Sequence, residues 1–177
     1  MTDAPRRPLD DLLLYRLSRL LSVAGSMVIR LCEGRFGITR REWRLIAVLA
    51  SRGELSSSQL AEHAQLDRAR TSKAVGSLVA KQLVSRVARA GDRRQVALGL
   101  TEAGRALYDA LFPLVTQINT ALLGALDADD AARFDDSLHR LQARAERLVE
   151  EAVLPKADRG RRAAARGAGN PRSTPSP

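Results

Sequence analysis

The pattern of apolar and polar positions predicts six helices and one β-hairpin. Apolar residues recur at spacings of three and four, which is typical of an amphipathic helix. The pattern holds over three long segments, about 9–35, 101–126 and 127–153, and over three short ones, about 39–53, 56–64 and 67–81. The short elements cannot cover the apolar stripes of the long helices, so we expect these stripes to pack on one another or on a second subunit.

Capping signals define the starts of the short helices. Thr39 and Ser56 are each followed three residues later by a residue that completes a capping box. Those partners are Glu42 and Gln59. Around the first box, Ile38 and Trp43 occupy the two positions of a hydrophobic staple. Asp67 is a plausible N-cap for the helix that ends near Lys81. Only the turn Gln65-Leu66 separates the second and third short helices, which predicts a helix-turn-helix.

After Leu83 the helical period gives way to an alternating one, which predicts strands at 84–88 and 95–100. In the second strand, the predicted inward face consists of Val96, Leu98 and Leu100. The intervening segment 89–94 contains a Gly-Asp turn and a basic tip. A helix-turn-helix followed directly by a hairpin is a winged helix. The predicted fold class is therefore mainly α with a small β-hairpin wing.

The charge is segregated along the chain. The formal net charge is +9, and the sequence pI is about 11.0. Residues 56–100 carry eight basic against three acidic residues, 101–153 carry five against ten, and 154–177 carry six against one. A basic balance points to a polyanionic partner, and the basic internal segment coincides with the predicted winged helix.

The helix predicted at 67–81 has the composition of a DNA-reading helix. Val75, Leu78 and Val79 form its expected buried side. Arginine can read guanine edges, serine and threonine can bond bases or phosphates, and a small residue allows close approach. The candidate DNA contacts are Arg68, Arg70, Thr71, Ser72, Lys73, Ser77 and Lys81, with Ala74 beside them on the same predicted face. The alternative is an ordinary solvated helix surface.

The predicted wing tip carries Asp92, Arg93 and Arg94. A carboxylate two residues before an arginine can hold the guanidinium in a bidentate pair and aim it outward. An arginine aimed in this way suits a narrow minor groove, whose negative potential attracts it. The alternative is simple turn chemistry with solvated arginines.

These motifs resemble the MarR family of bacterial regulators over roughly residues 9–153. The specific part is 92–101, which fits the pattern D-x-R, five residues, then L-T. The segments 38–49, 55–61 and 84–86 also resemble the family. One departure is Gln82, where the family usually has glycine. If that position needs a left-handed backbone, Gln82 carries a modest strain.

The resemblance implies an architecture and a set of roles. Segments 9–37 and 101–153 would form a helical dimerisation region, and 38–100 would form a winged helix-turn-helix DNA-binding domain. Arg94 would enter the minor groove, with Asp92 as its support. A homodimer would bind double-stranded DNA at a near-palindrome, with half-sites about one turn apart. Residues 1–8 are expected to be a flexible N-terminus and 154–177 a basic disordered tail.

The resemblance also implies a repressor that releases DNA when a small ligand, often an aromatic acid, binds between the dimer helices and the DNA-binding lobe. A ring can stack on tryptophan, and an arginine can pair with a carboxylate. The candidate lining is Arg16, Arg19, Ser22, Trp43 and Arg44. The competing interpretation of Trp43 is packing at the start of its helix, and that of the arginines is simple exposure to solvent.

Three other functions compete with this one. Some regulators that resemble this chain sense peroxide with a cysteine on the first helix, and Cys32, the only cysteine, is near the end of that helix, which makes a redox-sensing repressor one alternative. An apolar-face cysteine usually serves packing. An enzyme is disfavoured because His63 and His139 lie far apart in the chain and no cluster has the spacing of metal ligands. We therefore expect no catalytic residue, metal or cofactor. A non-catalytic protein-interaction module would show no salt-dependent DNA affinity.

The expected location is the cytoplasm. A single cysteine excludes an intramolecular disulfide, which fits a reducing compartment. The N-terminal segment has no apolar run of the secretory kind, and no stretch approaches a transmembrane span. We expect no membrane partner.

Overall fold

The computed structural model describes residues 8–89 and 92–153, without the side chains of 88, 89 and 92–95. Within those residues the helices are α1 (Leu13–Arg35), α2 (Arg40–Arg52), α3 (Ser57–His63), α4 (Arg68–Ala80), α5 (Glu102–Leu123) and α6 (Ala128–Glu151). The strands are β1 (Leu55–Ser56), β2 (Val84–Arg89) and β3 (Asp92–Leu100). The predicted basic tail 154–177, and the predicted N-terminus except residue 8, lie outside the described residues.

The predicted fold class is confirmed, because six helices and a small antiparallel sheet form in the expected order. The first helix is shorter than predicted: a separate 3-10 turn occupies Leu9–Asp11, and extended Leu12 separates it from α1. The fifth helix ends at Leu123 rather than near Leu126, and it is continuous through Pro113.

The predicted caps form. The side chain of Thr39 accepts a hydrogen bond from the Glu42 backbone N–H, and the Glu42 carboxylate accepts one from the Thr39 N–H at 2.6 Å. Ser56 and Gln59 make the same reciprocal pair at the start of α3. Each box satisfies backbone donors that a helix leaves unpaired in its first turn.

The sheet has three strands in the order β1-β3-β2, and both pairings are antiparallel. The sequence did not predict β1, which pairs Leu55 with Leu98 and Ser56 with Ala97. The predicted loop 89–94 is also too long, since β2 extends to Arg89 and β3 begins at Asp92. A register shift between Ala88 and Arg89 marks a bulge in this extended part of the hairpin.

The predicted inward face of β3 is wrong at Val96, which is exposed, whereas its neighbours Ala97 and Leu98 are buried. The pairing explains the difference. The partner strand β1 reaches β3 only as far as Ala97, so Val96 lies where the sheet has only two strands. Ala97, Leu98 and Gly99 are all buried, so exposed and buried residues do not alternate in this part of β3.

One core holds the elements before α6 together. It is centred on α2, whose Leu45, Ile46 and Leu49 are almost fully buried. Leu60 of α3 and Leu78 of α4 complete the tightest part of this cluster. Burying side chains of this size contributes about 1.5–3 kcal/mol each. This packing fixes α3 and α4 against α2.

The long helices leave much of their apolar surface exposed. On α1, Leu13, Leu20 and Met27 are exposed, while Leu31 packs partly against the core. In α6, which belongs to a second unit that begins at Asp127, all the large apolar residues predicted to face inward are at least 37% exposed. Those residues are Phe134, Leu138, Leu141 and Leu148.

Candidate nucleic-acid interface

The helix-turn-helix is fixed by backbone geometry at its turn. After α3, Gln65 takes a left-handed backbone with φ of 52°. The Gln65 N–H bonds the Glu62 carbonyl, and the Leu66 N–H bonds the Ala61 carbonyl, both at 2.9 Å. These two bonds form a Schellman motif, which ends a helix sharply. The Asp67 side chain then accepts the Arg70 N–H at 2.8 Å and starts α4.

The first half of α4 presents four polar side chains to solvent. Arg68, Arg70, Ser72 and Lys73 are all exposed. The guanidinium of Arg70 pairs with Asp67 at 3.1 Å, but its side chain remains 65% exposed. An exposed pair of this kind contributes little, so Arg70 remains available to an anionic partner.

The predicted exposed face of α4 is wrong at Thr71 and Ala74, which are buried. The Thr71 hydroxyl donates to the Asp67 carbonyl oxygen at 3.0 Å, as expected for a helical threonine whose side chain bonds back to the preceding turn. Thr71 is one turn before Val75, on the side of α4 that meets the core. Thr71 is therefore withdrawn from the candidate DNA contacts.

Another candidate, Lys81 at the C-terminal end of α4, contacts the start of α2 and remains partly exposed. The Lys81 Nζ lies 3.1 Å from Oε1 and 3.0 Å from Oε2 of Glu42, and it also donates to the Gly37 carbonyl at 2.9 Å. Ser77, one turn earlier in α4, is half-buried. The Lys81 ammonium thus has partners within the fold while its side chain stays 36% exposed, and contact of Lys81 or Ser77 with DNA stays a prediction.

The Glu42 carboxylate is the one buried acid among the described residues. Burial alone would raise the pKa of Glu42. Hydrogen bonds from Ser77, the Thr39 backbone and Lys81, together with the positive charge of Lys81, outweigh that effect and lower the pKa. Glu42 is therefore a buried, ionised group that joins the start of α2 to the end of α4.

The wing is formed by β2 and β3. Arg89 and Asp92 are paired across it, and the backbone of Arg93 and Arg94 continues β3. The side chains of Asp92, Arg93 and Arg94 lie outside the described residues. The pairing of Asp92 with Arg94 and the aim of that arginine therefore stay predictions.

The five residues predicted to line a ligand site are spread over α1 and α2. Arg16, Arg19 and Ser22 are exposed on α1, and Arg19 pairs with Asp10 at 3.1 Å. Arg44 donates to the Ala64 carbonyl at 3.3 Å, at the end of α3.

The last of the five, Trp43, is buried and stacks on Tyr108 of α5, with ring centroids 5.6 Å apart. Tyr108 in turn stacks on the exposed ring of Phe112 at 5.1 Å. Three of the six aromatic residues of the chain thus form one stack that runs from the core to the surface. This arrangement supports the packing interpretation of Trp43.

An open groove of about 840 Å³ lies instead between α1 and α5. Its walls are mainly apolar, and Arg30 and Gln117 are its polar members. The apolar lining consists of Met27, Leu31, Leu114, Ile118, Ala121 and Leu122. None of the five predicted ligand residues lines this groove.

The only cysteine, Cys32, is fully buried in the core. Burial is the main cause that raises the pKa of its thiol; the charge of Glu33 adds to the rise, and Arg40 opposes it. A buried thiol with a raised pKa forms little thiolate and reacts slowly. Both observations favour packing over redox sensing.

The described residues contain neither a cluster of metal ligands nor a single helix with the character of a membrane span. No group of three or more His, Cys, Asp or Glu side chains there could hold a metal ion. No single described helix combines the length and apolar composition of a membrane span; only α5 and α6 counted together, across the break between them, meet that test.

Sequence reasoning missed Glu42 and the aromatic stack as parts of this region. Glu42 was recognised only as a capping residue, since its link to Lys81 spans 39 positions. The aromatic partner of Trp43 is 65 positions away on a different helix. Neither contact leaves a local signal in the sequence.

Comparisons with known proteins agree with this architecture. A sequence profile of the MarR family matches residues 36–95. The HTH-type transcriptional repressor NicR of Pseudomonas putida is 33% identical over 93 residues, which are 52% of this chain and 59% of NicR. The matched part of the chain thus spans somewhat more than half the length of that relative.

Solved structures align over a larger share of the chain. The MarR family transcriptional regulator SPO1453 from Silicibacter pomeroyi DSS-3 is 30% identical, with a TM-score of 0.67 over 77% of this chain and 97% of that one. BpsR from Bordetella bronchiseptica, whose DNA binding is regulated by 6-hydroxynicotinic acid, is 22% identical, with a TM-score of 0.60 over 72% of this chain and 98% of that one. The likeness to BpsR is one of fold.

Proposed function

This chain belongs to the MarR family of transcriptional regulators, and we propose that it is a repressor that binds a near-palindromic operator as a homodimer. In this proposal it acts in the cytoplasm, on double-stranded DNA, and catalyses no reaction. A two-fold dimer presents two recognition helices, so the operator half-sites should lie about one helical turn apart.

The observation that carries the proposal is the exposed first half of α4. The second helix of a helix-turn-helix reads DNA with the residues near its N-terminus. In α4 these residues are exposed and polar: Arg68, Arg70, Ser72 and Lys73. The basic wing follows directly in the chain. Arginine and lysine at such positions suit guanine edges and phosphates, and we assign Arg94 of the wing to the minor groove.

The dimer is supported by the apolar surface that α1 and α6 leave exposed. In α6 the residues Phe134, Leu138, Leu141, Ala145 and Leu148 repeat at spacings of four and three, the pattern of a helix that packs against another helix. Exposing a row of large apolar side chains to water is energetically unfavourable, and a second copy of the chain would bury them. We therefore assign 9–37 and 101–153 to the dimer interface.

We further propose that an aromatic acid releases the protein from DNA. Arg16 and Ser22 are exposed on α1 and can receive a carboxylate. Trp43 and Arg44 remain candidates only if the ligand displaces their present partners, Tyr108 and the Ala64 carbonyl. BpsR, which shares this fold, responds to an aromatic acid, and this supports testing the same class of ligand here.

Binding to DNA is tested with the purified protein and the intergenic DNA upstream of its own gene, across a salt series. Wild type should bind this DNA about 10³-fold or more tightly than random DNA. Arg68→Ala and Arg94→Ala should weaken the selective binding, whereas Arg52→Ala, at the exposed end of α2, is the matched control and should not. Loss of even salt-dependent non-specific binding would leave the protein-interaction module as the better proposal.

Ligand release is tested separately on the preformed complex. 6-Hydroxynicotinic acid and benzoic acid are compared with cyclohexanecarboxylic acid, which has the charge but no aromatic ring. We expect release by an aromatic acid and a weaker response in Arg16→Ala. Equal, weak effects of all three acids would reject the aromatic effector and leave the DNA-binding proposal intact.

A further inference from the structure

The last turn of α4 is tied to the start of α2 through one carboxylate. Lys81 donates to both oxygens of Glu42 and to the Gly37 carbonyl, at distances of 2.9–3.1 Å. An ammonium group has three donors, and three acceptors surround this one.

The acceptor of these bonds is nearly inaccessible to solvent, since Glu42 is only 2% exposed. Its position is set independently by the capping box, in which it accepts the Thr39 N–H at 2.6 Å. A buried acid held in this way is a rigid anchor, and a charge-assisted hydrogen bond to it is stronger and more directional than one to solvent.

We propose that Lys81 is a positioning residue that acts with Glu42 to set the angle of α4 on α2, and that it does not bind phosphate. The inference rests on the proposed role of α4 as the recognition helix. The pair holds the C-terminal end of α4, and the turn bonds from Gln65 and Leu66 to Glu62 and Ala61 join its other end to α3. The exposed residues of the first half are thereby presented to the groove at a fixed angle.

The proposal predicts a change in selectivity without a change in the number of phosphate contacts. Each lost phosphate contact lowers the slope of log affinity against log salt by about 0.9. A tilt of α4 instead weakens the base contacts, which contribute to binding of the operator alone. Operator and random DNA therefore separate the two roles.

The experiment measures binding of both DNAs across a salt series for Lys81→Met, Glu42→Gln and the double variant. Each single variant should lower operator affinity about tenfold, with an unchanged salt slope and unchanged affinity for random DNA. The double variant should be no worse than either single one, because both remove the same interaction. Lys73→Met is the matched control; as an exposed phosphate contact it should lower the slope on both DNAs.

Folding is controlled by thermal melts of every variant, with affinities corrected for the folded fraction. Lys81→Arg retains a cation that can reach Glu42, and it should preserve selectivity. The proposal is overturned if Lys81→Met lowers the salt slope on both DNAs while Glu42→Gln does not. It is also overturned if the losses on the two DNAs are equal, or if Lys81→Arg is stably folded yet unselective.

The same data distinguish this inference from the proposed function. If wild type itself does not prefer its operator, the proposed function fails. If wild type is selective and Lys81→Met behaves like Lys73→Met, only the positioning role fails.

Discussion

Gly104, in the first turn of α5, packs directly against the backbone of Leu83, and a β-carbon at Gly104 would overlap the Leu83 carbonyl oxygen. The neighbouring Thr101 strengthens the same junction, since its hydroxyl donates to the Gln82 carbonyl at 2.7 Å. The start of α5 is thus joined to the segment that follows α4. This close approach links the helix assigned to the dimer with the helix assigned to DNA.

Gly104→Ala should therefore destabilise the protein, because the carbonyl of Leu83 is backbone and cannot move aside cheaply. We expect a loss of about 1–3 kcal/mol in the free energy of unfolding, measured by urea denaturation. Gly76→Ala is the matched control, since it is also helical but has open space around it. That change should stabilise by about 0.5–1 kcal/mol, and equal effects of the two substitutions would contradict the close approach.

Gln82→Gly should stabilise the protein. Gln82 has a φ of 56°, and it ends α4 in a Schellman motif through bonds from Gln82 and Leu83 to Val79 and Leu78. A left-handed backbone costs a non-glycine residue about 1–2 kcal/mol, and the greater freedom of glycine in the unfolded chain offsets part of that.

We expect a net gain of about 0.5–1 kcal/mol from Gln82→Gly in thermal or urea unfolding. Gln82→Ala keeps the strain and should change stability little. A gain for alanine equal to that for glycine would show that the side chain, and not the backbone angle, is responsible.

The ion pair between Glu42 and Lys81 should make the free energy of unfolding depend on pH. Since the pKa of Glu42 is lowered in the folded state, its contribution is fully present above the ordinary glutamate pKa of about 4.3. The contribution declines as the pH falls through the lower folded-state value.

Wild type should therefore be more stable than Glu42→Gln at pH 7, and the difference should shrink below about pH 4. The measurement is the urea midpoint of both proteins from pH 7 to pH 3. Glu62→Gln on the exposed face of α3 is the control for the loss of one carboxylate, and it should leave the urea midpoint nearly unchanged at both ends of this pH range. A constant difference between wild type and Glu42→Gln at all pH values would contradict the lowered pKa.

Cys32 should react with a thiol reagent only when the surrounding core opens. Its side chain is fully buried and the pKa of its thiol is raised by burial, so we expect labelling to be slow in buffer and fast in urea. Hydrogen peroxide should leave DNA binding unchanged in wild type and in Cys32→Ala alike. Release of wild type by peroxide, with Cys32→Ala resistant, would instead support the redox-sensing alternative.

The sequence predicted those parts of the fold that depend on neighbouring residues. The capping boxes that begin with Thr39 and Ser56 involve residues three positions apart, and both form. The strand β1 was missed because two residues are too few to show alternation, and its pairing with Leu98 is a long-range contact. The link between Lys81 and Glu42 was missed for the same reason, since it spans 39 positions.

Thr71 shows a different kind of error, since its position was available from the sequence. It precedes Val75 by four positions and Leu78 by seven, so it shares their face of α4. Its polar character led to the wrong assignment, although a threonine hydroxyl can be satisfied by the preceding turn. Arg68, Arg70, Ser72 and Lys73 are exposed as predicted, and their contacts with DNA stay a prediction.

The most direct test of the central claim is a hydroxyl-radical footprint of the protein on the DNA upstream of its own gene. The proposed dimer predicts two protected half-sites, about 10–10.5 base pairs apart from centre to centre, related by an approximate two-fold axis. Arg94→Ala should reduce the protection while the spacing is retained. Uniform or absent protection, at concentrations that saturate any salt-dependent binding, would contradict a sequence-selective dimeric repressor at this DNA.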